Sequence, residues 1–492
     1  MRARSVVTVL AWSGLVLGIA ACANREAGED AGKVPITTAS PKALNAYLSG
    51  RDLLEKLRGT DARPHFARAV ELDGDFALAH LGLAYTAPTA SEYFASLRRA
   101  ALLARRASEG EAHIIDAVQA ASDARPDEQR EHLEALLRAF PADERAHYLL
   151  AAFHNGQQEW KPAISLLKQA IVLNPEFSQP YNLLGYCLRA VGRPEEAEAA
   201  FKKYLELLPG EPNPYDSYAE LLMQMGRFEA SIAMYEGALA IDPNFAASYV
   251  GIGNNELFLG RPEEARNAFT KLAFIARNDG ERRQARTWFA ATYLYEGKHE
   301  LALAEIRRRY EIAASADDGI LMSADLNQIG DILLEAGQPG EALESFEAAV
   351  AMMESAVATA EVKAGARRGL LFYRGRVAVA QGNLTVAAEA AAKYHEEVER
   401  RHLPAGRWQA HELFGLIALA RGEFKDAVCE LGQANQQDPR VLFNLAQAYL
   451  QAGKKEAAKE AADRVVRYNS LAFNYAYVRV RAQALLEDLG RP

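Results

Sequence analysis

Ten histidines and three cysteines are the side chains of this chain best suited to hold a metal, carry a proton or attack a substrate, and their spacing argues against all three uses. His147 and His154 stand seven apart on one expected helix face, while His80, His113, His147 and His411 open their respective helix pairs. Side chains spread along an array in that way pack between helices instead of converging on one ion. The segment HELFG at His411 lacks the second histidine of a metalloprotease helix. Cys187 and Cys429 lie far apart, and no CxxC pair supports a redox motif or a cysteine zinc site. Two buried thiols acting as small apolar groups, with no disulfide between them, are expected. Acidic pairs such as Glu195 with Glu196 and Glu263 with Glu264 open helices, where they complement the positive end of the helix dipole. Neither a glycine-rich phosphate loop nor a nucleophile elbow is present. These patterns predict no catalytic residue, no metal, no cofactor and no enzyme activity.

What positions these residues is a repeat. Tyr181, Tyr215 and Tyr249 stand 34 residues apart, and so do Gly192, Gly226 and Gly260. The stretches from Tyr181 to Pro209 and from Tyr215 to Pro243 align without a gap. In each, an aromatic opens a helix, a small residue follows (Gly185, Ala219), a leucine comes next (Leu188, Leu222) and a glycine ends the helix. The second helix carries Ala197 or Ser231, then Phe201 or Tyr235, and stops before a proline. Small residues let two helices approach closely, and large ones fill the space between pairs. Glycine suits the end of the first helix, and proline suits the first turn of the second, as at Pro194 and Pro262.

This pattern resembles the tetratricopeptide repeat family, and the resemblance implies an all-α, right-handed superhelical solenoid of about twelve antiparallel helix pairs. The same phase places Gly297, Gly337, Gly382, Gly422 and Gly453 at the ends of later first helices, at spacings of 37, 40, 45, 40 and 31 after Gly260. We therefore expect degenerate repeats over 43–143, a regular array over 144–277, an irregular array over 278–470 and a C-terminal capping helix over 471–492.

The N-terminus reads as an export signal over residues 1–21, with Arg2 and Arg4 before an apolar stretch that ends at Cys22. That stretch is short against the roughly 20 residues of a spanning helix. Ile19, Ala20, Ala21 and Cys22 resemble the lipobox of bacterial lipoproteins, which implies that Cys22 is acylated and becomes the new N-terminus. Ala23 follows instead of the aspartate that favours inner-membrane retention in the enterobacterial type, so an outer-membrane anchor is expected. Residues 22–42, rich in Gly, Pro, Ser, Thr and charge, are expected to form a disordered tether. A formal charge of -9 gives no attraction to phosphate backbones, so nucleic acid is not an expected partner.

In the family the first helices line the concave face. The repeat phase then nominates Gln179, Asn182, Tyr186 and Arg189, followed by Asn213, Asp216, Glu220 and Gln224, by Asn254, Leu257 and Phe258, and later by Asn327 and Asp331. Amides and aromatics in a groove suit an extended peptide. Relatives that grip a terminal carboxylate use a ring of Lys, Asn and Arg, and Asp216 and Glu220 depart from that ring. Glu256 stands where Leu188 and Leu222 stand, so a partner is expected for its charge, with Arg286 nearest by repeat phase. The expected function is a lipid-anchored, non-catalytic scaffold or assembly factor in the cell envelope that docks a protein or extended peptide. The alternative is a binding protein or sensor for a small molecule, glycan or peptidoglycan fragment inside the superhelix.

Overall fold

The computed structural model describes residues 32–490. Among them the regular structure is entirely helical: twenty-five α-helices and a short 3-10 turn at Ala104–Arg106. The first six pairs are α1 (Pro41–Glu55) with α2 (Gly59–Leu72), α3 (Ala77–Tyr85) with α4 (Ala90–Leu103), α5 (Glu109–Ser122) with α6 (Pro126–Ala139), α7 (Glu144–Gly156) with α8 (Trp160–Leu173), α9 (Ser178–Ala190) with α10 (Pro194–Leu207), and α11 (Pro212–Gln224) with α12 (Phe228–Ile241). Six more follow: α13 (Ala246–Phe258) with α14 (Pro262–Ile275), α15 (Asp279–Tyr295) with α16 (His299–Ser315), α17 (Gly319–Glu335) with α18 (Pro339–Ser355), α19 (Ala360–Ala380) with α20 (Leu384–Arg400), α21 (Pro404–Arg421) with α22 (Phe424–Gln433), and α23 (Pro439–Gln451) with α24 (Lys455–Val466). A single helix, α25 (Tyr475–Gly490), ends the described chain. No helix among the described residues is long and apolar enough to cross a membrane.

The 34-residue period has a simple structural cause: from α7 to α14 the helices alternate between 13 and 14 residues. The wider spacings beyond Gly260 come from longer helices, of 17 residues in α15 to α18 and 21 in α19. Each of the eight glycines that follow the first helices from α9 onward is left-handed, with φ between 72 and 78°. The next backbone N–H then donates to the carbonyl five residues back, as from Arg193 to Leu188 and from Arg227 to Leu222. Glycine matters at a second kind of position, where helices touch. A methyl group at Gly185 would lie 2.6 Å from Phe201, and one at Gly253 would lie 2.2 Å from Phe269.

Three of the four N-terminal pairs, whose glycines are missing, use the same turn. Leu57, Ala124 and Gln158 take the left-handed conformation at φ 60, 55 and 62°, and the same backward hydrogen bonds follow them, from Arg58 to Leu53, Arg125 to Ala120 and Glu159 to His154.

Two expectations need correction. The first is the tether, of which residues 33–40 are ordered. The Val34 N–H donates to Asp143 Oδ2 (2.8 Å), that of Thr37 donates to Glu111 Oε1 (2.9 Å), and Ser108 Oγ donates to the Pro35 carbonyl (2.8 Å). Val34 is buried, and composition alone missed this because the partners lie 73 to 109 residues away. Residues 22–31 of that segment, with Cys22, and the export signal lie outside the described residues.

The second correction concerns the open groove. The turn between α1 and α2 reaches the starts of distant first helices: Gln179 Nε2 donates to the Glu55 carbonyl (3.0 Å), Lys56 pairs with Glu211 (3.4 Å), and Asp61 with Arg277 (3.7 Å). The Ala90 N–H, at the start of α4, donates to Asp318 Oδ2 (2.8 Å). Apolar residues of α1 to α7 share one buried cluster with Ile320, Met353, Ala356 and Val362. The array therefore coils far enough for its first two pairs to lie across the mouth formed by α9, α11, α15 and α17.

Candidate functional site: the interior of the coil

The nominated inward residues of α9, α11 and α13 separate into three groups, and the chain itself occupies two of them. Gln179 is covered by α1, as described, and Asn213 Nδ2 donates to Tyr204 Oη (2.7 Å). Asn182 is buried nearby on α9. Asn254 and Phe258, on α13, are covered by α25. Tyr475 Oη donates to Asn254 Oδ1 (2.6 Å), the Tyr475 ring meets Phe258 at 4.8 Å between centroids, and the Arg479 guanidinium lies 4.5 Å from the Phe258 ring centre. Further along, Gln328 Nε2 donates to Tyr477 Oη (2.7 Å), and Arg481 pairs with Glu335. The helix expected to cap the stack packs on α24 and also reaches into the interior, where Tyr475 is fully buried.

The third group remains half-buried. Arg189 Nη1 donates to Glu220 Oε1 (3.0 Å) and lies over the Tyr186 ring, whose hydroxyl donates to Glu220 Oε2 (3.0 Å). One turn earlier on α11, Asp216 accepts from Ser248 Oγ (2.8 Å). Burial pushes the Asp216 carboxyl up to about 7; the Ser248 donor opposes the shift and the Glu220 charge adds to it. This cluster offers one fixed cation, one fixed anion, a phenol and a carboxyl that titrates near neutrality.

On the opposite wall, Asp331 accepts from Arg376 (2.5 Å) and faces Arg440 (3.7 Å). Beside them burial raises Glu412 to about 7, with help from Asp438. Asn327 sits half-buried on α17. Asp325, on the same helix, is fully buried between Arg283 (2.6 and 3.0 Å) and Arg309 (2.7 Å), a network that repeat phase did not reveal.

The expected Glu256 to Arg286 pair does not form. Glu256 meets Arg261 (3.3 Å) just past the end of its own helix, and Arg286 meets Glu305 (3.0 Å) on α16. The turn at Gly260 brings Arg261 back to α13, so Glu256 finds a charge locally and needs none from the next repeat. Cys187 is buried, and burial pushes its thiol up to about 12, but Cys429 is exposed on α22, whose inward positions are Ala427 and Leu431. The histidines are dispersed: His154 meets Glu159 (2.5 Å), His411 meets Glu430 (2.7 Å), and His113 faces His132 (3.4 Å). Among the described residues no three His, Cys, Asp or Glu side chains converge as a metal site.

Four stretches match family models described as tetratricopeptide repeat: residues 166–199, 222–289, 327–395 and 439–470. This chain is a tetratricopeptide repeat protein. Similar solved structures include a tetratricopeptide repeat protein from Parabacteroides merdae, at 16% identity and TM-score 0.36 over 54% of this chain and 99% of that one. A thermophilic protein of this kind from Thermus thermophilus matches at 20% identity and TM-score 0.29 over 44% of this chain and 99% of its own. MamA from Desulfovibrio magneticus matches at 14% identity and TM-score 0.30, over 34% and 94%. A search of curated proteins finds no match. In the repeat protein described here, α1 to α24 supply the twelve expected pairs, and α25 stands outside the repeat.

Proposed function

We propose that this repeat protein is a lipid-anchored component of the cell envelope that acts without catalysis as a protein-protein interaction scaffold or assembly factor. The observation that carries the reading is the uninterrupted run of helix pairs from Pro41 to Val466, an architecture built of surface for partners. The anchor rests on the lipobox-like residues ending at Cys22, and two or three acyl chains would hold the protein stably at a membrane. An outer-membrane location follows from Ala23, and a protein or extended peptide is the expected partner.

Crosslinking in the native envelope followed by mass spectrometry tests the scaffold, with wild type compared against Cys22→Ala. A specific protein recovered with wild type and depleted with the variant is expected. Recovery of no specific protein with either form removes the scaffold reading. Fatty-acid labelling that persists in Cys22→Ala would remove the anchor.

A second reading is favoured by the half-buried Tyr186, Arg189, Asp216 and Glu220 cluster: a small polar ligand held inside the coil. Its polar groups converge on Glu220, which accepts from Arg189 and Tyr186 one turn from Asp216. Native mass spectrometry of protein purified from its own envelope distinguishes the two readings. A bound small molecule lost on Arg189→Ala would support this second reading, and a ligand-free mass would oppose it.

A further inference from the structure

We infer that α25 is a displaceable internal ligand of the repeat array, occupying the seat at which a helical segment of the partner protein docks. The inference deepens the scaffold reading and rests on it. Several features set α25 apart from the repeats. Residues 467–474 join it to α24 without forming a helix, and no left-handed glycine turns the chain between them. Besides its neighbour α24, it packs on the distant α15 and reaches side chains of α13 and α17.

Its contacts resemble those of a docked peptide. Residues four apart share a helix face, and α25 presents two such stripes. Tyr475 and Arg479 address Asn254 and Phe258 on α13. Tyr477 and Arg481 address Gln328 and Glu335 on α17, while Arg440 and Phe443 of α23 pack against the Tyr477 ring and Arg481 respectively. Tyr475 is the fully desolvated anchor, an aromatic in a polar-rimmed pocket, which is the usual form of a binding hot spot. The outer edge stays wet: Val480 is 43% exposed, and the Arg481 side chain is 55% exposed.

The seat defines its occupant's chemistry. Asn254 offers an amide, Phe258 and Phe443 offer ring faces for cations, and Glu335 offers an anion. A partner segment that fits is an amphipathic helix with an aromatic and a basic residue four apart, repeated on the adjacent stripe. A tethered ligand competes at high effective concentration, so an external helix binds only in proportion to the fraction of molecules whose seat is open.

The experiment uses the full chain and a fluorescein-labelled synthetic peptide of residues 470–490. Anisotropy is read with wild type, Tyr475→Phe, Tyr475→Ala, and Tyr475→Ala combined with Phe258→Ala. Weakening the internal helix should tighten peptide binding by about tenfold or more, in the order wild type, Tyr475→Phe, Tyr475→Ala. Adding Phe258→Ala should abolish the gain, because it damages the seat itself. Hydrogen exchange on the same proteins guards against simple misfolding. Expected is faster exchange confined to α25, with α13 and α17 still protected. Loss of protection in α25, α13 and α17 together, or equal peptide binding by all four proteins, would overturn the inference. A specific crosslinked partner recovered in the envelope despite those results would leave the scaffold reading standing and move its docking surface elsewhere.

Discussion

At the scale of residues, the interior carboxyls have the most distinctive behaviour. Asp216 is raised by burial from 3.8 to about 7. Between those values the folded protein holds a proton that the unfolded chain has lost, so the stabilisation this group contributes falls as pH rises from 4 toward 7 and stays lost above it. Asp216→Asn keeps an oxygen for Ser248 without the buried charge. Thermal melts should show the variant gaining on wild type as pH rises, with the largest gain above pH 7 and none near pH 4. Asp325 is held by geometry: two arginines surround it and it has no exposed surface. Asp325→Ala strips Arg283 of its interior partner and should cost about 3–5 kcal/mol in urea unfolding. Both residues were visible in the sequence as acids on first helices. Glu220 lies only four residues from Asp216 on the same helix, but the two arginines reach Asp325 from 42 and 16 residues away, which depended on how three helices pack.

Among elements, the left-handed turn after the first helix repeats more faithfully than its glycine. Eight turns use glycine, while Leu57, Ala124 and Gln158 adopt the same conformation with side chains that disfavour it. An L-residue there costs on the order of 1–2 kcal/mol, partly offset by the greater unfolded-state entropy of glycine. Ala124→Gly and Gln158→Gly should therefore each stabilise the protein by about 1 kcal/mol in denaturant titration. The same change at Ala219, inside α11, should destabilise instead, by roughly 1 kcal/mol from helix propensity and lost packing. The weak N-terminal repeats looked degenerate because a residue-type pattern reports the preferred occupant of a turn, whereas the hydrogen bonds from Arg58, Arg125 and Glu159 report the turn itself.

For the whole molecule, closure of the coil rests on carboxylates that serve two places at once. Asp318 caps its own helix through the Leu321 N–H (3.0 Å) and caps α4 through the Ala90 N–H, 228 residues away (2.8 Å). Asp143 caps α7 through Arg145 and also holds Val34. A repeat array ordinarily unfolds as a chain of neighbours, and a bond between distant repeats couples them. Asp318→Ala should cost about 2 kcal/mol, the effect of two ordinary caps. Hydrogen exchange should accelerate at the start of α4 as well as at the start of α17. An effect confined to α17 would show that the two ends of the coil do not support each other.

The sequence by itself determined the all-helical class, the pairing, the twelve-pair count and the positions of the glycine turns, because each of these depends on interactions within about 34 residues along the chain. It also supplied the only basis for the reading of Cys22. Tertiary structure alone decided what the inward faces touch. Gln179 meets α1, Asn254 and Phe258 meet α25, and Val34 meets Asp143, all across separations of 109 to 221 residues. A local period sets which side of a helix faces inward, but the curvature accumulated over many pairs sets which distant segment arrives there. That difference turned an expected open groove into a coil closed by its own first helices and filled by its last.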